Sequence, residues 1–190
     1  MISEHVSRSS NPGGRPLGAL LLAAAVWLAG GAARAQELYT FTVGAMGGVG
    51  GSPDDAQAGG YDHKSLQLNF QFATDPRTQV GLRYGQLDLT GAGERIGAFF
   101  EPQLKYLSIG GEYRTQLSYY DSGLFAALGA YRLEGGGAKT QTAIGLSVGA
   151  TGEFQINRHF GVIAEIAGHY ADLDQLQLFA TVHAGLAVHF

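Results

Sequence analysis

The sequence predicts an all-β protein: an eight-stranded antiparallel up-and-down transmembrane β-barrel, preceded by a cleaved signal peptide. Apolar and polar residues alternate with period two over eight segments of about ten residues, as expected of strands with two unlike faces. Short and long connections alternate between these segments. After residue 35, no apolar run approaches the roughly 20 residues that a membrane-spanning helix requires. Together, the alternation, the connections and the missing apolar run favour strands over helices.

The first 35 residues have the order of a secretory signal peptide. Residues 1–16 are polar and include Arg8 and Arg15, residues 17–28 are apolar, and residues 33–35 read Ala-Arg-Ala, a small-x-small cleavage motif. The apolar run is too short for a membrane span, for which about 20 residues are needed. We therefore expect cleavage after Ala35, a signal peptide at 1–35 and a barrel domain at 36–190.

Composition excludes several classes of function. After cleavage, nine Lys and Arg residues stand against 15 Asp and Glu residues, a net charge of −6 with neutral histidines. Such a chain lacks the basic face that a nucleic-acid partner requires. The sequence has no cysteine, so no disulfide stabilises it. The glycine-rich stretch 44–51 is followed by Ser-Pro-Asp-Asp and lacks the Gly-Lys-Ser/Thr of a phosphate-binding loop.

The first four predicted strands each have one apolar and one polar face. The first, 39–45, reads YTFTVGA, and the second, 65–72, reads SLQLNFQF, the clearest alternation in the chain. The third, 80–89, places Arg83 on its polar side. The fourth, 104–114, sets Ser108, Glu112 and Arg114 against Leu107, Ile109 and Tyr113.

The last four predicted strands repeat this alternation. In the fifth, 124–133, we expect Phe125, Ala127, Tyr131 and Leu133 on the apolar face and Arg132 on the polar face. The sixth, 143–154, ends with Glu153 on its polar side. The seventh, 160–170, and the eighth, 178–190, have polar faces that carry Glu165, His169, His183 and His189.

The distribution of charge predicts which face is wet. The apolar faces carry no charge, whereas the opposite faces carry both signs, which can pair across a narrow lumen and so offset the cost of burial. This is the inverted pattern of a barrel in lipid. We therefore predict a structural polar network in the lumen made of Arg83, Glu112, Arg114, Arg132, Glu153, Glu165, His169 and His183.

Aromatic residues fall near the predicted strand ends, where rings suit the headgroup interface. The periplasmic set is Tyr39, Phe41, Phe72, Tyr113, Phe125, Phe154, Phe160 and Phe190, and the outer set is Tyr84, Tyr131 and Tyr170. Connections after strands two, four and six are short. Those after strands one, three, five and seven are longer, including 50–64 and 90–103, as expected for periplasmic turns and outer loops.

These features resemble the small OmpA/OmpX-type outer-membrane β-barrels of Gram-negative bacteria. The last strand carries the most specific match, because His183, Gly185, Val188 and Phe190 fit the family's polar-x-Gly-x-x-apolar-x-aromatic signal. The resemblance implies that the barrel-assembly machinery reads this strand as an assembly signal. It also implies an outer-membrane location and contact with outer-membrane lipid and lipopolysaccharide. Because the chain ends at Phe190, we expect no appended peptidoglycan-binding domain.

No sequence motif predicts an enzyme or a metal site. The chain has no His-Glu-x-x-His motif, and we expect neither a metal nor a cofactor. Strands seven and eight could bring Glu165, His169 and His183 together, most simply as part of the polar network. The alternative is a lipid A hydrolase of the PagL type, a family that pairs a His with a Ser two positions later; His169 is followed instead by Tyr170 and Ala171. Acidic loop residues are expected to be solvated or to share divalent cations with lipopolysaccharide; they are Asp54, Asp55, Asp62, Asp172 and Asp174.

The predicted function is therefore that of a non-enzymatic outer-membrane barrel. It would contribute to envelope integrity or bind a surface partner, not yet identified, through its loops. A narrow channel is the remaining alternative, since the lumen of an eight-stranded barrel is about wide enough for side chains to fill it.

Overall fold

The computed structural model describes residues 41–53, 60–89, 102–116, 120–135, 139–174 and 176–190. Eight antiparallel strands follow one another around a closed barrel, which confirms the predicted fold class. The expected signal peptide at 1–35 lies outside the described residues. The strands are β1 (Phe41–Ser52), β2 (Gly60–Asp75), β3 (Thr78–Asp88), β4 (Gln103–Gln116), β5 (Tyr120–Glu134), β6 (Gln141–Gln155), β7 (Phe160–Ala171) and β8 (Leu178–His189).

The last strand closes the barrel on the first. Thr42 lies opposite His189, and the pairing continues to Gly51 opposite Ala180. Beyond it, the backbones of Phe41 and Phe190 exchange two hydrogen bonds with N···O distances of 3.3 and 2.9 Å. The seam thus has no open sheet edge along these residues, which is the condition for strands to lie in lipid.

The connections define two ends of the barrel. The turn end holds the short links after β2, β4 and β6 together with Phe41 and Phe190, and the loop end holds the other connections. Two turns are closed by short side chains: Asp75 Oδ1 accepts hydrogen bonds from the N–H groups of Arg77 (2.8 Å) and Thr78 (2.9 Å). Asn157 Oδ1 does the same for His159 and Phe160. Such side-chain mimicry of a turn is typical of Asp and Asn.

The first connection differs from its prediction. We expected a long link over 50–64, but β1 continues to Ser52 and β2 begins at Gly60. Glycine-rich segments carry little strand signal, because glycine has no side chain to pack. Pairing with β2 and β8 nevertheless holds residues 47–51 in the sheet. In the part of the chain described, no helix is both long and apolar enough to cross a membrane.

The outer surface is an apolar band. The residues that face outward from the strands include Leu68, Phe70, Leu82, Ile109, Leu128, Ile144, Val148, Val162, Ile166 and Leu186, all exposed. On β5 the band begins at Leu124 and ends at the charged Arg132, eight residues further along the strand. At about 3.3 Å per residue and a tilt of about 40°, this stretch rises about 20 Å, close to the apolar band of about 25 Å in barrels that span the outer membrane.

The predicted orientation of β5 is wrong. Phe125, Tyr131 and Leu133 are buried inside, whereas Leu128 and Arg132 are exposed outside. The strand is apolar on both faces, so alternation alone could not orient it. Its pairing with β4 does: Phe125 lies opposite the buried Glu112, and residues directly opposite each other share a face.

Most of the predicted interface aromatics lie outside, as expected. Those at the turn end are Phe41, Phe72, Tyr113, Phe154, Phe160 and Phe190, and Tyr84 and Tyr170 lie toward the loop end. The inversion of β5 removes Phe125 and Tyr131 from this group. Tyr39 lies outside the described residues.

Candidate functional site

The lumen contains two layers of different chemistry. Charged and amide side chains fill the half toward the turn end, and aromatic and aliphatic side chains fill the half toward the loop end. Both layers are buried, so the lumen is a packed interior along the described strands. The candidate functional site is this interior together with the outward residues at the loop end.

Glu112 on β4 is the centre of the charged layer. Its Oε2 accepts hydrogen bonds from Arg83 Nη2 (2.6 Å) and Gln71 Nε2 (2.7 Å). Its Oε1 accepts from Arg114 Nε (2.8 Å) and Thr151 Oγ1 (2.7 Å). Four donors on two oxygens satisfy the acceptor capacity of a carboxylate and offset the cost of burying its charge.

Arg83 on β3 joins Glu112 to a second carboxylate. Its Nε donates to Glu165 Oε2 at 3.1 Å, and its guanidinium lies over the ring of Phe125, 3.7 Å from the centroid. Glu165 also accepts from the amides of Gln67 (2.7 Å) and Asn69 (3.4 Å). Arg83 can reach across the lumen because its neighbours on β2 and β4, Asn69 and Ser108, are short.

The network continues to the turn end through Arg114 and Glu153. Arg114 Nη1 donates to Glu153 Oε2 at 3.1 Å. The other oxygen of Glu153 is hydrogen bonded to His189 Nε2, and His189 Nδ1 lies 2.9 Å from Thr42 Oγ1. Since Thr42 is on β1 and His189 on β8, this polar contact bridges the closing seam.

The loop half is a plug, which we define as Leu87, Leu89, Leu104, Tyr106, Tyr131, Leu133, Ala171, Leu173, Leu176 and Phe179. His169 lies within it, its ring parallel to that of Phe179 at a centroid distance of 4.5 Å. The polar groups of Tyr106 and His169 inside the plug have hydrogen-bond partners. Tyr106 Oη donates to Gln67 Oε1 at 2.5 Å, and His169 contacts Tyr131 Oη (3.3 Å) and Thr181 Oγ1 (3.1 Å).

One serine and one histidine form a close pair near the boundary of the two layers. His183 Nε2 lies 2.8 Å from Ser65 Oγ, and the Ser65 hydroxyl donates to the backbone oxygen of Gln86 at 3.1 Å. The tautomer of His183 decides which of the two groups donates in this contact. Nδ1 of His183 has no hydrogen-bond partner, so no carboxylate orients the ring.

The structure brings most of the predicted network together but separates three residues from it. Arg83, Glu112, Arg114, Glu153 and Glu165 form one connected set. His169 is in the plug, and His183 is paired with Ser65. Glu165 lies opposite His183 in the register, yet its oxygens are occupied by Gln67, Asn69 and Arg83.

Arg132 is the one predicted network residue that lies outside the lumen. Its side chain is 59% exposed, and its Nε donates to Glu134 Oε2 at 3.0 Å. Lys105, opposite Arg132 on β4, also donates to Glu134. The three residues thus form a charged cluster on the outer face at the loop end, and the inversion of β5 is the reason for the wrong prediction.

Sequence reasoning missed several members of the site. Three of them lie on the polar face of the clearest predicted strand: Gln67, Asn69 and Gln71. Their shared face and their long amide side chains could have predicted that they join the polar network. Phe125 and Tyr131 gave no such signal, because only the register of β5 places them inside. Within the described ranges, no group of three His, Cys, Asp or Glu residues could hold a metal ion.

Solved structures match this chain, whereas no protein-family model and no curated protein does. Neisserial surface protein A, a crystal structure, is 17% identical, with 80% of this chain and 97% of that chain covered and a TM-score of 0.65. The N-terminal β-barrel domain of Pseudomonas aeruginosa OprF is 12% identical, with 80% and 98% covered and a TM-score of 0.56. At these identities the likeness concerns the fold. The chain has the fold of the small eight-stranded outer-membrane β-barrels, as its resemblance to the OmpA/OmpX type implied.

Proposed function

We propose that this protein is a non-enzymatic integral barrel of the bacterial outer membrane, which contributes to envelope integrity or binds a surface partner through its loops. The observation that carries the proposal is the inverted polarity: an apolar exterior around a lumen filled by ion pairs and an aromatic plug. A soluble barrel has the opposite arrangement. The filled lumen leaves the loops and the outer surface as the places for function.

The location can be tested directly. The exported protein should fractionate with the outer membrane, begin at Gln36 and change its electrophoretic mobility when heated, as compact barrels do. Circular dichroism in detergent should show mostly β-structure. A mature chain that begins at Met1 would contradict the signal peptide at 1–35, and a freely soluble product would contradict the membrane location.

The orientation follows from the lengths of the connections. Outer-membrane barrels have short periplasmic turns and longer external loops, so the turn end is assigned to the periplasm. Phe190 then lies at the periplasmic interface, 68% exposed and beside Phe41. This position supports the proposed assembly signal of His183, Gly185, Val188 and Phe190, read by the barrel-assembly machinery.

The outward cluster of Lys105, Arg132 and Glu134 supports contact with lipopolysaccharide. Cationic side chains just beyond an apolar band attract anionic headgroups, and the exposed Lys64 adds a third outward-facing cation at this end. Folded protein in vesicles should unfold at a higher temperature with lipopolysaccharide than with phosphatidylethanolamine. The double variant Lys105→Gln/Arg132→Gln should lose most of this difference, and an unchanged difference would contradict the contact.

The geometry disfavours the hydrolase alternative. An activated nucleophile needs a base that a third group orients, but Nδ1 of His183, the histidine beside Ser65, has no hydrogen-bond partner. His63 and Ser65, which have the His-x-Ser spacing, are both buried, at 7% and 3% exposure. His169, the other candidate, is enclosed in the plug at 3% exposure. Mass spectrometry of lipid A from cells with and without the protein should show the same acyl chains. Loss of an acyl chain on expression would support the hydrolase alternative instead.

The plug likewise disfavours a channel. Tyr106, Tyr131 and Phe179 are at most 2% exposed and fill the lumen near the loop end. Planar bilayers that contain the protein should show steady closure. Repeated conductance steps from the purified wild-type protein would support the channel alternative instead.

The two proposed roles can be separated in one strain. Cells without the protein should become more permeable to large apolar dyes, and a variant with shortened external loops should restore the barrier if the barrel itself acts in envelope integrity. If only the protein with full-length loops restores the permeability barrier, the loops are required, as the surface-binding role expects. Unchanged permeability without the protein would argue against a role in envelope integrity.

A further inference from the structure

A groove crosses β1, β2 and β3 on the outer wall of the barrel. It has a volume of about 430 Å³, and among the described residues it is lined by Ala45, Met46, Leu66, Gln67, Leu68, Tyr84 and Gln86. The outward side chains of this set are apolar except for the Tyr84 hydroxyl and the Gln86 amide. Ligand pockets commonly measure about 300–1,000 Å³ and have the same character, an apolar lining with a few polar groups.

The groove results from small residues on β1 beside large residues on β2. Ala45 lies opposite Leu68 and Gly47 lies opposite Leu66, all on the outer face. A Cβ added at Gly47 would meet Cδ2 of Leu66 at 3.8 Å, an ordinary van der Waals distance. Position 47 therefore has room for a side chain that glycine does not supply.

The end of the groove nearer the loops is polar. Gln86 follows Tyr84 by two residues on the outer face of β3 and lies opposite Lys105 on β4. Side chains directly opposite each other on one face are close enough to bind the same group. The Lys105 ammonium has three N–H groups, and Glu134 accepts a hydrogen bond from it. An anionic group here can thus accept hydrogen bonds from both Gln86 and Lys105.

Two further charges lie close to this polar end. Lys64 is exposed on the outer face of β2, two residues beyond Leu66, and Asp88 lies on β3, two residues beyond Gln86. Lys64 attracts an anionic group, whereas Asp88 repels one. An anionic group is therefore best accommodated at the level of Gln86 and Lys105, next to the groove and not nearer the loops.

Apolar contact alone does not select one lipid for the groove. Acyl chains are as apolar as leucine side chains, so replacing one acyl chain in the groove by another changes the free energy little. A matching headgroup supplies the selectivity, because cationic side chains at the membrane surface attract anionic headgroups. The groove and its polar end together fit a molecule that has both an acyl chain and a phosphate.

We propose that the groove holds one acyl chain of a lipopolysaccharide molecule, with a phosphate of the same molecule at Gln86 and Lys105. The inference rests on the proposed outer-membrane location and lipopolysaccharide contact, which place the loop end in the outer leaflet. It gives that contact a position on the wall, over β1, β2 and β3. It also adds an apolar component to the charged cluster.

Tryptophan fluorescence of the mature chain tests the position. Trp27 is the single tryptophan of the sequence and lies in the expected signal peptide, so an introduced tryptophan is the only one in the mature chain. Tyr84→Trp places this reporter in the groove, and Tyr170→Trp places a matched reporter on β7, since both tyrosines are exposed on the outer face. If Tyr84→Trp does not fold, Leu68→Trp serves as the groove reporter.

The folded variants are placed in vesicles of brominated phosphatidylethanolamine, whose acyl chains quench tryptophan. Unbrominated lipopolysaccharide should restore the fluorescence of Tyr84→Trp at a severalfold lower mole fraction than that of Tyr170→Trp. Recovery of both reporters at the same mole fraction would overturn the groove. Equal recovery of Tyr84→Trp with unbrominated phosphatidylglycerol would overturn the assignment to lipopolysaccharide.

Further substitutions in the Tyr84→Trp chain locate the two parts of the lipid. Gly47→Leu fills the groove and should remove the preferential recovery, whereas Gly168→Leu, on the outer face of β7, should retain it. Lys105→Gln should raise the required mole fraction of lipopolysaccharide severalfold. A Gly47→Leu chain that recovers like its parent would overturn the position of the acyl chain.

The outcomes separate this inference from the proposed function. If lipopolysaccharide raises the unfolding temperature while the two reporters recover equally, the lipopolysaccharide contact is retained and the groove is refuted. If lipopolysaccharide changes neither the unfolding temperature nor the fluorescence of either reporter, both the contact and the groove are contradicted.

Discussion

The guanidinium of Arg83 lies 3.7 Å from the ring centroid of Phe125 while donating to Glu112 and Glu165 on two other strands. One side chain thereby connects β3, β4, β5 and β7 across the lumen. The ring covers one face of the guanidinium, and the carboxylates take its edge. This arrangement exists only because β5 presents Phe125 to the inside.

Arg83→Met should strongly destabilise the barrel. Removing one partner of a buried ion pair leaves the other charge uncompensated and costs about 3–5 kcal/mol. Arg132→Met is the matched control, because the solvent-exposed pair of Arg132 with Glu134 contributes little to stability. Urea titration of the folded protein in lipid vesicles measures both free energies of unfolding. Equal losses for the two variants would contradict the division between lumen and outer face.

Gly85→Ala should disturb the aromatic plug. A Cβ at Gly85 would lie 2.1 Å from Cζ of Tyr106, its partner across the β3–β4 pairing. The ring would have to move and would lose its hydrogen bond to Gln67, so we expect a loss of about 1–3 kcal/mol, as for other overpacked interiors. Gly168→Ala is the control, since nothing lies within 4 Å of its added Cβ. A neutral Gly85→Ala would show that Tyr106 relaxes freely.

Single-cysteine labelling should report the orientation of β5. The wild-type chain has no cysteine, so a water-soluble maleimide reports the introduced residue alone. In the folded protein Arg132→Cys should react rapidly and Leu133→Cys slowly, because Leu133 is 5% exposed. Both should react at similar rates once the chain is unfolded. If Leu133→Cys reacts faster than Arg132→Cys in the folded protein, β5 has the orientation that the sequence predicted.

Phe190→Ala should impair insertion in cells more than it impairs folding in detergent. The backbone hydrogen bonds between Phe190 and Phe41 do not require the ring, so the seam can still close. If the assembly machinery reads the terminal aromatic, the heat-modifiable fraction in the outer membrane should fall severalfold at native expression. Phe160→Ala, another exposed aromatic at the turn end, should insert normally. Normal insertion of Phe190→Ala would count against the assembly signal.

Alternation was informative wherever the two faces of a strand differ in polarity. In β2 the apolar and polar residues alternate as the sequence predicts. Those outside are Leu66, Leu68, Phe70 and Phe72, and those inside are Ser65, Gln67, Asn69 and Gln71. The same holds for Arg83 on β3, Glu112 on β4 and Glu165 on β7. For these strands, the free energy of moving apolar residues into lipid and polar residues into the lumen decides the orientation residue by residue.

The sequence by itself therefore determined the eight strands, their order and most of their faces, because period-two polarity is a local property of the chain. The orientation of β5, the partners of each carboxylate and the plug around His169 were decided only by the tertiary structure. They depend on the register between neighbouring strands, which sets the residue opposite each position and hence the face that it occupies. Register is a relation between distant segments, and for β5, where both faces are apolar, polarity alone left it open.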